Sequence, residues 1–255
     1  MVVAPSDHLI LKEDTFRDVV QQSLHFVKEH STLLTIGIQP SRPETGYGYI
    51  QVEKNEKIEC QDVYFNKVKT FTEKPDLKLA RVFLESGEFF WNSGIFFWSV
   101  DSILKSFQEF LPDINGSFKD GVGLYGTEKE AAFINETYSS CKNISIDYGI
   151  MEKADNVYVL TADFGWSDLG TWGSLYEHKE KDNQEIVVIG DKVFLYDSRD
   201  TIINSSNDRL AVIQGMQDFI IVDSEDVLLI CKKDQEQRIK SFVHDVKLET
   251  GNKYI

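Results

Sequence analysis

Residues 70 to 98, Thr70-Phe-Thr-Glu-Lys-Pro-Asp-Leu-Lys-Leu-Ala-Arg-Val-Phe-Leu-Glu-Ser-Gly-Glu-Phe-Phe-Trp-Asn-Ser-Gly-Ile-Phe-Phe-Trp98, decide how the chain is read. Lys67 to Thr72 alternates as a half-buried strand does, and Pro75, which has no N–H to give, ends the ladder. Asp76 is placed to cap a helix whose Leu77, Ala80, Phe83 and Leu84 share one face. Gly87 stands where a left-handed residue closes such a helix. The helix is a spacer. It returns the chain so that Glu73 and Lys74, at one strand's end, face Asn92 at the start of the next, where Trp91-Asn92-Ser93-Gly94 leads in. A carboxylate accepts from vicinal hydroxyls, an amide donates and accepts, and an ammonium is a point charge for phosphate. The trio suits a ligand with hydroxyls and a phosphate. For an isolated Glu-Lys-Pro, a surface ion pair beside a turn asparagine is the better reading.

At 255 residues the chain can bury a sizeable core in one large domain, or in one large and one small. A net charge of −15 argues against a nucleic-acid surface, which needs a basic stripe. An acidic protein that binds a polyanion needs a divalent cation and a few placed basic side chains. Cys60, Cys141 and Cys231 are widely spaced and odd in number, which suggests neither a disulfide framework nor a zinc cluster. No apolar run is long enough to cross a membrane, and the sequence reads as cytoplasmic.

Val2 and Val3 read as the end of a buried strand that carries Asp7 beyond its carboxyl end. Phe16, Val19, Val20, Leu24 and Val27 follow helical spacing after a cap at Asp14, and Leu33 to Ile38 is a continuous apolar strand. This β-α-β opening predicts a mostly parallel sheet. In 43–50, two glycines around Tyr47 allow close approach of backbone to a ligand, and Tyr47 offers a flat apolar surface; a turn into a strand explains the same residues equally well. Residues 53–69 read as a charged hairpin. Val100, Ile103, Leu104 and Phe107 mark a helix, 113–127 a loop, Glu128 to Tyr138 a weaker helix, and Val157 to Thr161 a strand. Asp147, between apolar residues, is read as structural or as support for a site. Asp168, ahead of Gly170-Thr171-Trp172, is an N-cap if taken alone and a metal ligand if paired with Asp7. From about Asp182 short β-rich runs alternate with turns such as 204–208, the spacing of an all-β solenoid or roll. A final helix presents Ile239, Phe242, Val243 and Val246 on one face.

Phe71-x-Glu73-Lys74-Pro75 followed by Trp91-Asn92-Ser93-Gly94 resembles the sugar-phosphate nucleotidyltransferases, and most closely their mannose-1-phosphate guanylyltransferase branch. Ala4-Pro5-Ser6-Asp7-His8, Glu44-Thr45-Gly46-Tyr47-Gly48-Tyr49-Ile50, the run from Ser145 to Lys153 and the run from Phe164 to Trp172 match the same family in the family's order. The resemblance implies an α/β fold: a Rossmann-like mixed sheet over 1–181, truncated at the front, then a small left-handed β-helix-like domain with a terminal helix over 182–255. The family's glycine-rich nucleotide loop has no match here, so the chain is expected to lack turnover by itself. The implied reaction of the full-length protein joins GTP and mannose 1-phosphate into GDP-mannose and pyrophosphate. Asp7, Lys74 and Asp168 would be catalytic, with Mg²⁺ on Asp7 and Asp168 and the sugar phosphate on Lys74. Gly46, Tyr47, Gly48, Glu73, Asn92 and Gly94 would meet the sugar, and the chain would form a homodimer. A thymidylyl- or uridylyltransferase acting on glucose 1-phosphate, and a non-catalytic sugar-phosphate-binding subunit, are the alternatives.

Overall fold

A computed structural model describes residues 1–205 and 208–254; Ser206 and Asn207, part of the turn expected over 204–208, lie outside the described residues. The chain divides into two compact units, Met1–Ser6 with Ile10–Trp166, and Asp7–Leu9 with Ser167–Ile255. It opens with strands β1 (Val2–Val3) and β2 (Leu9–Ile10), helix α1 (Glu13–Glu29) and strand β3 (Leu33–Ile38). Val2 and Val3 are exposed and pair at an edge, so the opening strand is not a buried one. In α1, Val19, Phe26 and Val27 are buried and Leu24 is not. Asp14 lies inside the first turn, bonded to Arg17, and Lys12 takes the cap position expected of Asp14.

Strands β4 (Gly48–Cys60) and β5 (Val63–Glu73) form a hairpin longer than the 53–69 expected from its charges. Its turn residues Gln61 and Asp62 are both left-handed, at φ 50° and 62°, which matches the right-handed twist of the flanking strands. Helix α2 (Leu77–Ser86) follows with Asp76 accepting from the Leu79 amide at 2.8 Å and Gly87 left-handed at φ 67°, as the sequence predicts. Strand β6 (Phe89–Trp98) contains Trp91-Asn92-Ser93-Gly94 in its middle, not at its start, opposite a register shift between Thr35 and Gly37. Helices α3 (Val100–Phe110), α4 (Pro112–Lys119) and α5 (Glu130–Ser140) precede a single π-helical turn over 147–151 and strand β7 (Val157–Thr161). Helix α4 replaces the first half of the expected loop: Pro112, whose preset φ suits a helix start, outweighs the low propensity of Asn115 and Gly116.

The six-stranded sheet is mixed but mostly antiparallel, which corrects the expectation from the opening β-α-β pattern. Only β3 with β7 is a parallel pair among its described strands. The hairpin and the return strand β6 need no crossover, and so contribute antiparallel pairs. The start of β4 pairs with β6 and the middle of β5 with β7, so the pairings close on themselves in the order β3, β6, β4, β5, β7. This closure bends the end of β5 back beside the middle of β6. One core packs Leu34, Ile36, Tyr49, Phe65 and Phe97, all without exposure, and Phe26 stacks on Phe65 at 3.9 Å. Each such side chain stabilises the fold by roughly 1.5–3 kcal/mol relative to exposure.

In the second unit, strand β8 (Trp166–Ser167) shares its first residue with the first unit and leads to helix α6 (Trp172–His178). Thr171 caps α6 in a reciprocal box with Ser174, which removes the reading of Asp168 as N-cap. Strands β9 (Val187–Ile189), β10 (Val193–Tyr196), β11 (Ile202–Ser205), β12 (Ala211–Gln214), β13 (Phe219–Ser224) and β14 (Val227–Lys232) are the short β-rich runs expected after Asp182. The parallel pairs β9–β11–β13 and β10–β12 make a β-helix-like coil. Val187, Ile202 and Ile220 form one buried column, spaced by 15 and then 18 residues. Left-handed residues recur at the corners with the same spacings, at Glu185, Asp200 and Asp218 and again at Asp197 and Gly215. The first step of 15 residues breaks the register of the next, 18, so no uniform period runs through the sequence. Helix α7 (Ile239–Thr250) closes the chain and leaves Val243 and Val246 exposed.

Candidate functional site

Gly48 pairs directly with Glu73 across the hairpin. A methyl group at Gly48 would collide with Oε2 of Glu73 and lie 3.5 Å from Cβ of Asn92. The missing side chain is therefore what gives the Glu73 carboxylate its place beside Asn92. Lys74 follows with a left-handed backbone, φ 47°, uncommon for a residue with a Cβ and characteristic of functional positions. Its amide donates to the Tyr47 carbonyl at 3.2 Å, and its ammonium lies 2.6 Å from Oε1 of Glu73. That hydrogen bond raises the Lys74 pKa above its ordinary value, partly opposed by burial.

Asn92 is held from three sides. Its carbonyl accepts from the Thr35 hydroxyl at 3.1 Å and from the Gly94 amide at 3.2 Å, and its NH₂ donates to Oδ1 of Asp147 at 2.8 Å. Both lone pairs of the amide oxygen are engaged and one N–H is used. Asn92 can thus offer a ligand a donor, not the donor-and-acceptor pair expected from sequence. Gly94, left-handed at φ 70°, turns its N–H onto that oxygen. Asp147 sits in the π-helical turn, where burial raises its pKa above the usual carboxylate range; the Asn92 bond opposes this and the Glu73 charge adds to it. Glu152 is also raised, by partial desolvation and then by Glu73 and Asp147. Three carboxylates thus influence one another, with the ammonium of Lys74 against Glu73 and Asp147 and that of Lys153 against Glu152. Sequence reasoning does not single out Thr35 or Glu152. Thr35 is the one hydroxyl in an otherwise apolar strand, and Glu152 lies within the 145–153 match.

Tyr47 is 5% exposed, and its ring meets Trp91 and Trp166 edge-on at 5.1 and 5.3 Å. Its ring is core, which corrects the expectation of a flat surface open to a ligand; its backbone carbonyl accepts from the Lys74 amide. Gly46 donates its amide to the buried carboxylate of Glu44 at 2.8 Å, and Arg42 holds the other oxygen of that group.

Asp7, His8 and Asp168 belong to the second unit. His8 has a lowered pKa because burial outweighs the charges of Asp168 and Asp7, both of which act on the one imidazole. Oδ1 of Asp168 accepts from the Gly170 amide at 3.0 Å, and Leu169 between them is left-handed at φ 50°. Carboxylate oxygens are of the hard kind that a divalent cation prefers.

The chain belongs to the nucleotidyl transferase family, whose model matches residues 1–185. Residues 190–246 match a second model, the mannose-phosphate isomerase/GMP-like β-helix domain. Among named relatives, a mannose-1-phosphate guanylyltransferase of Escherichia coli is 35% identical over 97% of this chain and 53% of its own length. One from Salmonella muenchen is 34% identical over all of this chain and 52% of its own. The chain therefore spans about half the length of these relatives. A solved structure described as mannose-1-phosphate geranyltransferase, from Thermus thermophilus, superimposes with a TM-score of 0.78. It is 26% identical, over 96% of this chain and 69% of that one.

Proposed function

We propose that this chain carries the sugar-phosphate portion of an enzyme that transfers GMP from GTP to mannose 1-phosphate, releasing pyrophosphate. The observation that carries the reading is the slot at Gly48, which seats Glu73 beside Asn92 with Lys74 folded over it. Glu73 accepts from sugar hydroxyls, the remaining N–H of Asn92 donates to one, and Lys74 meets the phosphate. Asp147 holds the Asn92 amide in its donating orientation, and the backbone at Gly46, Gly48 and Gly94 shapes the wall. Displacement at a phosphorus atom depends on positioning and charge neutralisation more than on a covalent nucleophile, which is what such residues supply. Asp7 and Asp168 would hold the divalent cation, Mg²⁺ by the chemistry of their oxygens; when bound, it neutralises phosphate charge. Residues 1–181 serve this chemistry, and 182–255 serve packing and a homodimer contact. Among the described residues no helix is long and apolar enough to cross a membrane, and a cytoplasmic address is part of the same proposal.

Calorimetric titration of the chain with mannose 1-phosphate in Mg²⁺ tests this reading. Binding is expected to exceed that of glucose 1-phosphate and to fall about ten- to a hundredfold in Lys74→Ala and in Glu73→Gln, since hydrogen bonds to charged groups contribute roughly 1.5–3 kcal/mol. Equal binding of the two sugar phosphates, or unchanged binding in both variants, refutes it.

A further inference from the structure

Away from these residues, the last turns of α1 and the end of β4 bring together three side chains of a different chemical kind. His25 and Glu29, one helical turn apart, point the same way, with Nε2 of His25 3.2 Å from Oε1 of Glu29. Cys60, the last residue of β4, is a buried free thiol whose Sγ lies 3.9 Å from the other oxygen of Glu29. All three potential ligand atoms lie within 4.8 Å of one another. Tetrahedral zinc, with bonds of about 2.0–2.3 Å, sets its ligand atoms roughly 3.3–3.8 Å apart. The imidazole and the thiol each lie near that scale from Glu29, but from its two different oxygens, 3.2 Å from Oε1 and 3.9 Å from Oε2. Bringing one carboxylate oxygen to both requires side-chain rotation, and Glu29 is exposed and His25 half-buried. An ion pair with an S–H···O hydrogen bond on the second oxygen is the alternative, and it binds no metal; titration with metal separates the two.

We propose that His25, Glu29 and Cys60 bind one Zn²⁺ ion, with water in the fourth position. Imidazole and thiolate favour zinc over Mg²⁺, so the site is chemically distinct from Asp7 and Asp168. On binding, the S–H bond of Cys60 breaks, an S–Zn bond forms and the proton leaves to solvent. A protein of net charge −15 draws cations to its surface, and the bound ion ties the C-terminal turns of α1 to the Gln61-Asp62 end of the hairpin. The role of the ion is structural, since its ligands come from the α1 and β4 ends and not from the residues around Glu73 and Lys74.

The test uses Co²⁺ as a spectroscopic stand-in on the full chain carrying Cys141→Ser, which removes the half-exposed competing thiol. One equivalent of Co²⁺ is expected to give a thiolate charge-transfer band that Zn²⁺ abolishes and excess Mg²⁺ does not. Zn²⁺ is expected to raise the unfolding temperature. Cys60→Ser should remove the band, and His25→Gln, at a half-exposed position that folding tolerates, should weaken Co²⁺ binding at least about tenfold. Absence of the band, its persistence in Cys60→Ser, or unchanged affinity in His25→Gln each overturns the proposal.

Discussion

Gly48→Ala separates the fold from the site. Gly48 lies in a strand and its φ is not in the left-handed region, so its backbone accepts an alanine, and strand glycines carry an entropic cost of roughly 0.5–1 kcal/mol relative to alanine. The new methyl meets the end of the Glu73 side chain, a flexible group, while Asn92 Cβ at 3.5 Å is ordinary contact. The carboxylate swings away and the fold absorbs the change, so stability should move by no more than about 1 kcal/mol in either direction. The substrate meets a different protein. Losing the charged acceptor should weaken mannose 1-phosphate binding by about 1.5–3 kcal/mol, or about ten- to a hundredfold. If Gly48 acts through Glu73, Gly48→Ala added to Glu73→Gln should cost almost nothing more, a coupling as large as either single loss. The assay is a double-mutant cycle by calorimetry, with urea unfolding of each variant beside it. Additive losses, or full affinity in Gly48→Ala, would refute the argument that the bare strand position seats the carboxylate.

Lys74→Gly should relieve the left-handed backbone at φ 47° by roughly 1–2 kcal/mol and at the same time remove the phosphate's partner. Unfolding should shift to higher urea while affinity for mannose 1-phosphate falls and affinity for mannose itself changes little. Asp147 titrates above its ordinary range in the folded chain, so the folded state holds a proton that the unfolded state releases first. Its contribution to stability is therefore greatest below the ordinary carboxylate pKa and declines as pH rises to the elevated folded value. Asp147→Asn, which still accepts from Asn92, should gain stability relative to the parent as pH rises from the ordinary carboxylate range through the elevated folded value in urea titrations; a constant difference would show that Asp147 is not raised. Thr171→Ala should lose the reciprocal cap of α6 and cost about 1 kcal/mol without altering sugar-phosphate binding.

How far the sequence can be read depends on the range of the interaction. Asp76, Leu77 to Leu84 and Gly87 specify α2 among themselves, and its caps fall where the residue types demand. The β-rich runs after 182 are legible because turn residues bracket each one. What escapes is long-range. Tyr47 looks like an open face because nothing near it announces Trp166, with which it shares a core. Asn92 looks free to donate and accept because Thr35 and Asp147 are 57 and 55 residues away. The mostly antiparallel sheet is hidden because the strand–helix–strand opening resembles a crossover, and nothing local shows that the hairpin read over 53–69 joins that same sheet through β6 and β7. Glu73 and Lys74 stand out from their neighbourhood in sequence; the role of Gly48 in seating Glu73 requires the register of β4 against β5.

The C-terminal coil has a consequence for how its length can change. Beyond a first step of 15 residues, Ile202 stacks on Ile220, Asp200 on Asp218 and Val193 pairs with Ala211 at an offset of 18, so this part of the coil repeats along its axis. A tandem duplication of one such unit would return every inward side chain to its column and every corner to a left-handed residue, giving a taller coil with its pairing unbroken. Duplicating one residue fewer would carry the apolar column to the outer face for the rest of the stack. Copy number is therefore open to change in whole turns, and frame within the turn is not.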